Sequence, residues 1–188
     1  MTKLTKRTKR ALMFALVVGT GIGAAGLSAT AGPPFGGPDD AAYAAKLWTA
    51  MTKARLVGPN TIVSFPYKGR PPHGNFLEMM SSKVTVGGTT GAVVVKKNFR
   101  GKATPKEILA NHKKFLKSIT VMFKREAGYD PKDQDWFWVK YAPDGSLLKN
   151  KKGMMLAGRV AKGKSKGCIA CHSVAPGRDF LYNPVQLQ

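Results

Sequence analysis

Alternating apolar and polar side chains predict a chain dominated by short β-strands. The clearest run is Gly91–Phe99, in which alternation turns Val93 and Val95 to one face and Val94 and Lys96 to the other. Shorter apolar or β-branched runs predict further strands at 61–65, 75–80, 83–86, 119–124 and 135–141, with a returning segment at 147–152. Glycine and proline clusters separate these runs, as expected for antiparallel strands joined by tight turns.

Helical periodicity is confined to a few segments. The first helix is predicted at 41–53, capped by one of the two aspartates before it, and its buried stripe is Ala44, Leu47, Trp48 and Met51. A second helix, from Thr104 to about Leu116, begins with a capping box, and a third begins near Cys168. The chain lacks the four long helical stretches that a four-helix bundle needs. We therefore expect an α+β fold, predominantly antiparallel β-sheet with a few helices, ending in a C-terminal helix.

The two cysteines of the chain lie near its C-terminal end, in the sequence Cys168-Ile-Ala-Cys171-His172. This is C-x-x-C-H, the attachment motif of c-type haem. Two thiols three residues apart can bond to the two vinyl groups along one side of a porphyrin. The histidine that follows lies under the iron and supplies the proximal ligand through Nε2. The motif therefore predicts one covalently attached haem c, held by Cys168, Cys171 and His172.

Two other uses of a C-x-x-C pair remain open. The cysteines could form a redox-active dithiol, or they could supply half of a zinc site. Zinc would need two more ligands, and the remaining histidines, His73 and His112, stand at no familiar spacing from the pair. A dithiol would have no use for His172. Haem explains all three motif residues, so it is the main prediction.

The first 31 residues have the pattern of a secretory signal. A basic start without acidic residues precedes an apolar stretch that begins at Ala11, and Ala29-Thr-Ala31 is a typical cleavage site. The alternative is an uncleaved membrane anchor, which the short, glycine-rich stretch disfavours. We expect cleavage after Ala31, a flexible leader at 32–38 and a single domain at 39–188. We also expect export to the periplasm, because bacteria attach c-type haem outside the inner membrane.

The chain carries a formal charge of +21, and removal of the five basic residues of the signal leaves +16 on the exported protein. A charge of this size favours acidic partners, such as an acidic redox protein, an anionic ligand or an anionic membrane surface. A solvated lysine surface that keeps the protein soluble explains the charge equally well. An exported haem protein would not meet nucleic acid, so we expect no nucleic-acid partner.

Several segments in a fixed order resemble the cytochrome P460 family, to which cytochrome c′-β also belongs. The segments that carry the resemblance are Pro72-His-Gly-Asn-Phe76, Gly91-Ala-Val-Val-Val-Lys-Lys-Asn-Phe99, Val121-Met-Phe-Lys-Arg125, Gly128-Tyr-Asp-Pro131, Asp135-Trp-Phe-Trp-Val139, Pro143-Asp-Gly145 and Gly167-Cys-Ile-Ala-Cys-His172. They span most of the chain after the leader. The resemblance implies a mostly antiparallel β fold, usually a homodimer, with a five-coordinate haem and His172 on its proximal side.

The resemblance implies two alternative activities, and Lys96 would decide between them. Cytochromes P460 oxidise hydroxylamine, with nitric oxide yield nitrous oxide, and carry a porphyrin cross-linked to a lysine at the end of a Gly-x-Val-x-Val-Lys strand. Cytochromes c′-β bind nitric oxide over a hydrophobic, aromatic-capped face. Lys96 matches the cross-linking position, although a strand lysine with its head in solvent is the ordinary alternative. Because no distal proton acceptor stands out, the sequence favours the nitric oxide-binding cytochrome over the hydroxylamine-oxidising enzyme.

Four further residues are candidates for the open side of the iron. Glu78 lies on a predicted strand and is the best carboxylate for accepting the protons that hydroxylamine oxidation releases. His73 could donate to a bound ligand, although a surface loop histidine is the simpler interpretation. Phe76 and Phe123 could cap the distal face, although core packing is the ordinary role of phenylalanine. A plain electron-transfer cytochrome is the remaining hypothesis, with the candidate sixth ligands Met79, Met122 and Met154.

Overall fold

The computed structural model describes residues 34–177 and 179–182, and it shows an α+β fold built on one antiparallel sheet. The six strands follow one another in chain order, and they are β1 Tyr67–Lys68, β2 Phe76–Val86, β3 Thr89–Phe99, β4 Leu116–Lys124, β5 Trp136–Tyr141 and β6 Ala157–Gly158. The helices are α1 Pro38–Lys53, α2 Pro105–Ala110, α3 His112–Phe115 and α4 Cys168–His172. The predicted fold class is confirmed, and both motif cysteines lie in the short helix α4.

The predicted export signal at 1–31 lies outside the described residues. Within residues 34–177 and 179–182, no helix is long and apolar enough to cross a membrane.

The alternation predicted for β3 is confirmed, and it divides the sheet into two faces. Val93 and Val95 turn toward helix α1, where they join the main core with Leu47, Met51, Val121, Phe123, Phe137 and Val139. Val94 packs on the other face, in a second core cluster formed with the C-terminal segment. The two faces therefore have different partners, a helix on one side and the cysteine motif on the other.

Helix α1 buries a stripe of side chains spaced three or four residues apart. Ala44, Leu47 and Met51 are fully buried, whereas Trp48 is half-buried against the ring of Tyr141, with 4.9 Å between ring centres. The Tyr141 hydroxyl donates a buried hydrogen bond of 2.8 Å to the Ala44 carbonyl. This bond ties the helix to β5 and fixes its position along the sheet.

The start of α1 differs from the prediction. The helix begins at Pro38, a residue favoured in the first helical turn, and its N-cap is Gly37 without a side-chain cap. Asp39 and Asp40 therefore lie inside the first turn, where negative charge is favourable. The Asp40 carboxylate instead accepts a hydrogen bond of 2.8 Å from the Gly36 amide.

One strand prediction near the start of the sheet was wrong, and two other predicted strands are parts of a single strand. The segment 61–65 forms no strand, and pairing to β2 begins only at Tyr67. Its β-branched residues favour extended backbone, but a strand also needs a partner edge, and here the Ile62 carbonyl accepts from the Lys97 ammonium group instead. The segments 75–80 and 83–86 form one continuous strand, because the polar residues between them pair in register with β3.

The predicted helix from Thr104 to Leu116 is divided into α2 and α3. Its capping box is confirmed: the Glu107 amide donates to the Thr104 hydroxyl, and the Glu107 carboxylate accepts from the Thr104 amide at 2.7 Å. Asn111 ends α2 with a φ of −148°, outside the helical region. Its side chain then caps α3 by accepting from the Lys114 amide at 3.2 Å. Asparagine favours such caps over helix interiors, which explains the break.

Candidate functional site

The face of the sheet opposite α1 is covered by the segment that carries the cysteine motif. A second core cluster forms there from Phe35, Val94, Met122, Trp136, Trp138, Val160, Ile169 and Phe180. Ile169 is the buried residue of α4, so it holds the motif against the sheet. The Trp136 indole donates to the Asp179 carbonyl at 3.1 Å and anchors the C-terminal turn to β5. Apolar contacts and this hydrogen bond together place the motif over the strands.

Helix α4 presents the two cysteines from one short turn. Cys168 is half-buried, whereas Cys171 is exposed. A spacing of three residues puts both on neighbouring positions of one helical side. Gly167 precedes them with a φ of +136°, in the region that favours glycine, and a side chain there would meet Ala161. The helix can therefore begin at Cys168 and close against the preceding loop.

His172 is held in an orientation suited to a metal ligand. Its Nδ1 lies 2.7 Å from the Phe180 carbonyl oxygen, so this nitrogen carries the proton and donates. Its ring packs edge-on against Trp138 and Tyr182, with 4.9 Å and 5.4 Å between ring centres. Tyr182 in turn donates to the Cys171 carbonyl at 2.8 Å. Histidine ligands commonly donate their other ring nitrogen to a carbonyl, which leaves Nε2 free for the metal.

His73 lies beside His172, with 6.3 Å between ring centres and 87° between ring planes. Its Nδ1 lies 3.2 Å from the Asn98 side-chain oxygen. The Asn98 amide nitrogen donates to the Ser118 carbonyl at 3.1 Å, which fixes the orientation of the amide. Burial, together with the charges of Lys96 and His172, lowers the pKa of His73 to about 4. His73 is therefore a half-buried, neutral ring on the motif side of the sheet.

Lys96 also lies on this face, and it is buried. Only 6% of the residue is exposed, and β3 continues beyond it, so its head is not in solvent at a strand end. Burial lowers the pKa of Lys96. Within residues 34–177 and 179–182, no carboxylate pairs with its ammonium group. Thr120 and Lys140 stand beside Lys96 on β4 and β5 in the same cross-strand row.

Three other predicted site residues lie on the opposite side of the sheet. Glu78 is fully buried there, with its carboxylate 3.4 Å from the Lys97 ammonium and in contact with His112 Nε2. Phe76 packs in a small cluster beside α2. Phe123 belongs to the main core under α1. The structure thus brings Lys96 and His73 to the cysteine motif but not Glu78, Phe76 or Phe123, because strand alternation turns these three away.

The three methionines named as candidate sixth ligands all pack with the second core cluster. Zinc would need more ligands than the motif offers. Among the described residues, no group of three or more histidine, cysteine and carboxylate side chains is arranged to hold a metal ion.

The groups around the motif fit a haem. The Trp138 indole nitrogen is buried beside His172 and has no hydrogen-bond partner in the described part of the chain. An unpaired buried donor is costly, and the propionate or ligand atoms of a haem would satisfy it. The buried Lys96 ammonium likewise has no counter-ion among the residues that the structure describes, and the carboxylates of a haem would supply negative charge. His172 keeps Nε2 for the iron, and both cysteines stand next to it in sequence.

Sequence reasoning missed the residues that hold His73 in place. Asn98 lies two residues beyond Lys96 on β3, so alternation alone would have placed it on the same face. Thr120 and Lys140 become neighbours of Lys96 only through strand register. No sequence signal indicated the contact between His73 and Asn98, because the two residues are 25 positions apart and separated by β2 and most of β3.

Comparisons with known proteins identify the family of the chain. No curated protein and no solved structure matches the chain. The family model of cytochrome P460 matches residues 77–183, more than half of the chain, from β2 through the cysteine motif. Family membership implies binding of haem c. The chain therefore belongs to the cytochrome P460 family and is a haem-binding cytochrome.

Proposed function

We propose that this protein is an exported haem c enzyme that oxidises hydroxylamine, with Lys96 joined to the haem. The observation that carries the proposal is the burial of Lys96 on the same face of the sheet as His172, without a counter-ion among the described residues. The ordinary role of a strand lysine requires an ammonium group in solvent. Only 6% of Lys96 is exposed, so this role does not fit it.

When bound, the haem would supply the redox-active iron that accepts electrons from the substrate. The chain's own residues would hold it in place. Cys168 and Cys171 would form thioether bonds to the vinyl groups, and His172 would bind the iron through Nε2. The hydrogen bond from His172 Nδ1 to the Phe180 carbonyl fixes the ring orientation and raises the basicity of Nε2.

Lys96 is suited to form a covalent bond. Burial lowers its pKa, so a larger share of the side chain is neutral amine, the form whose lone pair reacts. Joining Nζ to a porphyrin meso carbon removes one hydrogen from each atom. The two electrons and two protons released would reduce an oxidant of the peroxide class to water. The bond would alter the electronic properties of the macrocycle.

His73 supplies the proton acceptor that the sequence did not reveal. Hydroxylamine and nitric oxide together give nitrous oxide, water, one proton and one electron. His73 is neutral, and its Nδ1 is engaged by Asn98, so the lone pair on Nε2 can accept the proton. The electron would pass to a one-electron carrier, and the +16 charge of the exported chain favours an acidic redox protein. His73 is the reason for placing the enzyme ahead of the ligand-binding cytochrome.

The deciding experiment is an absorption spectrum of the purified ferrous protein, combined with mass spectrometry of its peptides. A Soret band shifted strongly to the red, with haem on the peptide that contains Lys96, supports the proposal. Lys96→Leu should then restore an ordinary c-type spectrum and abolish hydroxylamine oxidation. Lys140→Leu is the matched control, because Lys140 stands in the same cross-strand row and should leave the shifted band in place. An ordinary c-type spectrum in the wild type would refute the cross-link.

Nitric oxide binding to an unmodified haem is the second candidate. It is favoured by the apolar side chains around the motif, among them Val94, Met122, Trp138 and Ile169, because such surroundings suit small neutral ligands. An ordinary ferrous c-type spectrum, without the red-shifted band, that changes on nitric oxide addition would support this function. A protein of this kind would not turn over hydroxylamine.

Export, signal cleavage and a homodimer belong to the same proposal. The intact mass of the protein purified from a bacterial periplasm would test cleavage after Ala31, since removal of residues 1–31 leaves 157 of the 188 residues plus one haem. Sedimentation of the haem-loaded protein would test the homodimer that the resemblance implies.

A further inference from the structure

Two histidine rings on the motif side of the sheet stand at the separation expected for the two axial ligands of one haem iron. Their ring centres are 6.3 Å apart and their planes are nearly perpendicular, at 87°. Bonds between a metal and imidazole nitrogen are about 2 Å long. A ring nitrogen lies roughly 1 Å from the centre of its ring, given ordinary bond lengths. Two such bonds in line give about 6 Å between ring centres, close to the distance between His73 and His172.

Both rings also keep the same nitrogen free. His172 Nδ1 faces the Phe180 carbonyl at 2.7 Å, and His73 Nδ1 faces the Asn98 side-chain oxygen at 3.2 Å. The hydrogen bond that one ring nitrogen makes determines which nitrogen can bind a metal. In each ring this leaves the Nε2 lone pair available. No hydrogen bond to His73 Nε2 is formed within residues 34–177 and 179–182.

The position of His73 is fixed by a polar network on β3 and β4. The Asn98 amide nitrogen donates to the Ser118 carbonyl at 3.1 Å and lies 3.3 Å from both the Ser118 and the Thr120 hydroxyl oxygens. These contacts turn the Asn98 oxygen toward His73. Asn98 therefore orients the His73 ring, as hydrogen-bond partners of metal-binding histidines commonly do.

We propose that His73 binds the haem iron through Nε2, opposite His172, when no external ligand is present. A small ligand must then displace His73 before it reaches the iron. This coordination differs from the five-coordinate haem that the family resemblance implied. It adds to the proposed function a gate at the same site, because His73 would control the access of a ligand to the iron. The displacement step rests on the proposed function, whereas the resting coordination rests only on haem binding. Once displaced, His73 Nε2 is free to accept a proton from the ligand.

The chain makes this proposal simple to test, because it contains three histidines. His172 is the motif ligand, and His112 lies on the opposite side of the sheet in contact with Glu78. A second histidine on the iron must therefore be His73. The competing internal ligands are Lys96 and the methionines Met79, Met122 and Met154.

The first measurement uses untagged, haem-loaded wild-type protein in the ferric state. Electron paramagnetic resonance and near-infrared magnetic circular dichroism distinguish two imidazole ligands from one imidazole with methionine or amine. We expect a low-spin signal from two imidazoles. A high-spin wild-type signal, or a methionine or amine signature, would overturn the proposal without the need for any variant.

The second measurement compares His73→Ala with His112→Gln. His73→Ala should become high-spin, and imidazole added in solution should restore the low-spin signal. His112→Gln should remain low-spin like the wild type. Retention of the two-imidazole signal in His73→Ala would also overturn the proposal.

The third measurement tests the gate through carbon monoxide binding to the ferrous protein. The observed rate in wild type should reach a plateau at high carbon monoxide concentration, because departure of His73 becomes limiting. In His73→Ala the rate should rise linearly with carbon monoxide concentration. The apparent affinity for carbon monoxide should increase about tenfold or more, since the form whose iron is open to the ligand is no longer a minor fraction. A wild-type rate that rises linearly, with an affinity equal to that of the variant, would contradict the gate. Hydroxylamine turnover, measured separately, reports on the proposed function alone.

Discussion

Replacement of Glu78 by leucine tests whether this carboxylate serves the fold or the iron. Glu78 is fully buried on the α1 side of the sheet, 3.4 Å from the Lys97 ammonium, which is itself 1% exposed. After the substitution, the Lys97 ammonium would keep only the Ile62 carbonyl at 2.7 Å. The remaining positive charge would have no carboxylate partner in the described part of the chain.

The expected loss of stability follows from this geometry. Removing one partner of a buried ion pair costs about 3–5 kcal/mol, because the other charge stays buried. The surviving bond from Lys97 to Ile62 places Glu78→Leu near the lower end, at about 3 kcal/mol. The double variant Glu78→Leu with Lys97→Met replaces both charges by apolar groups of similar volume. It should lose about 1 kcal/mol or less, since such exchanges are often neutral.

Urea unfolding of the haem-loaded proteins, followed by far-UV circular dichroism, measures these differences. Glu126→Gln is the matched control, because Glu126 is 46% exposed in its pair with Arg125 and should change stability by less than about 1 kcal/mol. The ferric and ferrous haem spectra of Glu78→Leu should match those of the wild type. A loss below about 1 kcal/mol, together with altered haem spectra or hydroxylamine turnover, would show that Glu78 acts at the iron.

Three further predictions concern elements that support the site. Thr104→Ala should cost about 1 kcal/mol in urea unfolding, because the capping box of α2 is lost. Hydrogen bonds with Thr104 lower the pKa of Glu107 below its ordinary value of 4.5. The stability difference between wild type and Glu107→Gln should therefore be largest above that pH and should shrink as the pH falls below it. A difference that grew in acid would contradict the capping box. Trp136→Phe removes the anchor of the Asp179 carbonyl. In the ferrous His73→Ala background, where His172 would be the one histidine ligand, resonance Raman should show a weaker or broader iron–histidine stretch, whereas an unchanged stretch would show that the turn holds its place without the indole.

The sheet could be predicted from the sequence because its signals are local. The alternation of Val93, Val94, Val95 and Lys96 is a property of neighbouring residues, and the structure keeps it. The segment 61–65 has equally favourable residues but no partner edge, and a single sequence does not reveal which runs will pair. Asn111 interrupts the second predicted helix for a local reason, since its side chain caps the next turn.

The site was predictable only where residues are adjacent in sequence. Cys168, Cys171 and His172 form one motif, and their spacing carries the chemistry. Glu78 was assigned to the iron because it was the best carboxylate on a strand, but which face a strand residue occupies depends on the register of its neighbours. His73 could not be distinguished from a surface histidine, because its burial depends on Asn98 and on the distant C-terminal segment.

Lys96 and Lys97 are joined by one peptide bond, yet they lie on opposite faces of β3 and serve different surroundings. Insertion or deletion of one residue upstream in β3 would exchange them, because the side-chain period of a strand is two. Such a change would leave the amino-acid composition almost untouched. An insertion would put Val95 at the position beside His172, and a deletion would put Asn98 at the position that pairs with Glu78. In an alignment with a relative that has a single lysine at this point, a gap of one residue therefore decides whether that lysine is matched to Lys96, beside His172, or to Lys97, the partner of Glu78. The face of the strand, judged from the flanking valines, is the safer guide to which lysine a relative has kept.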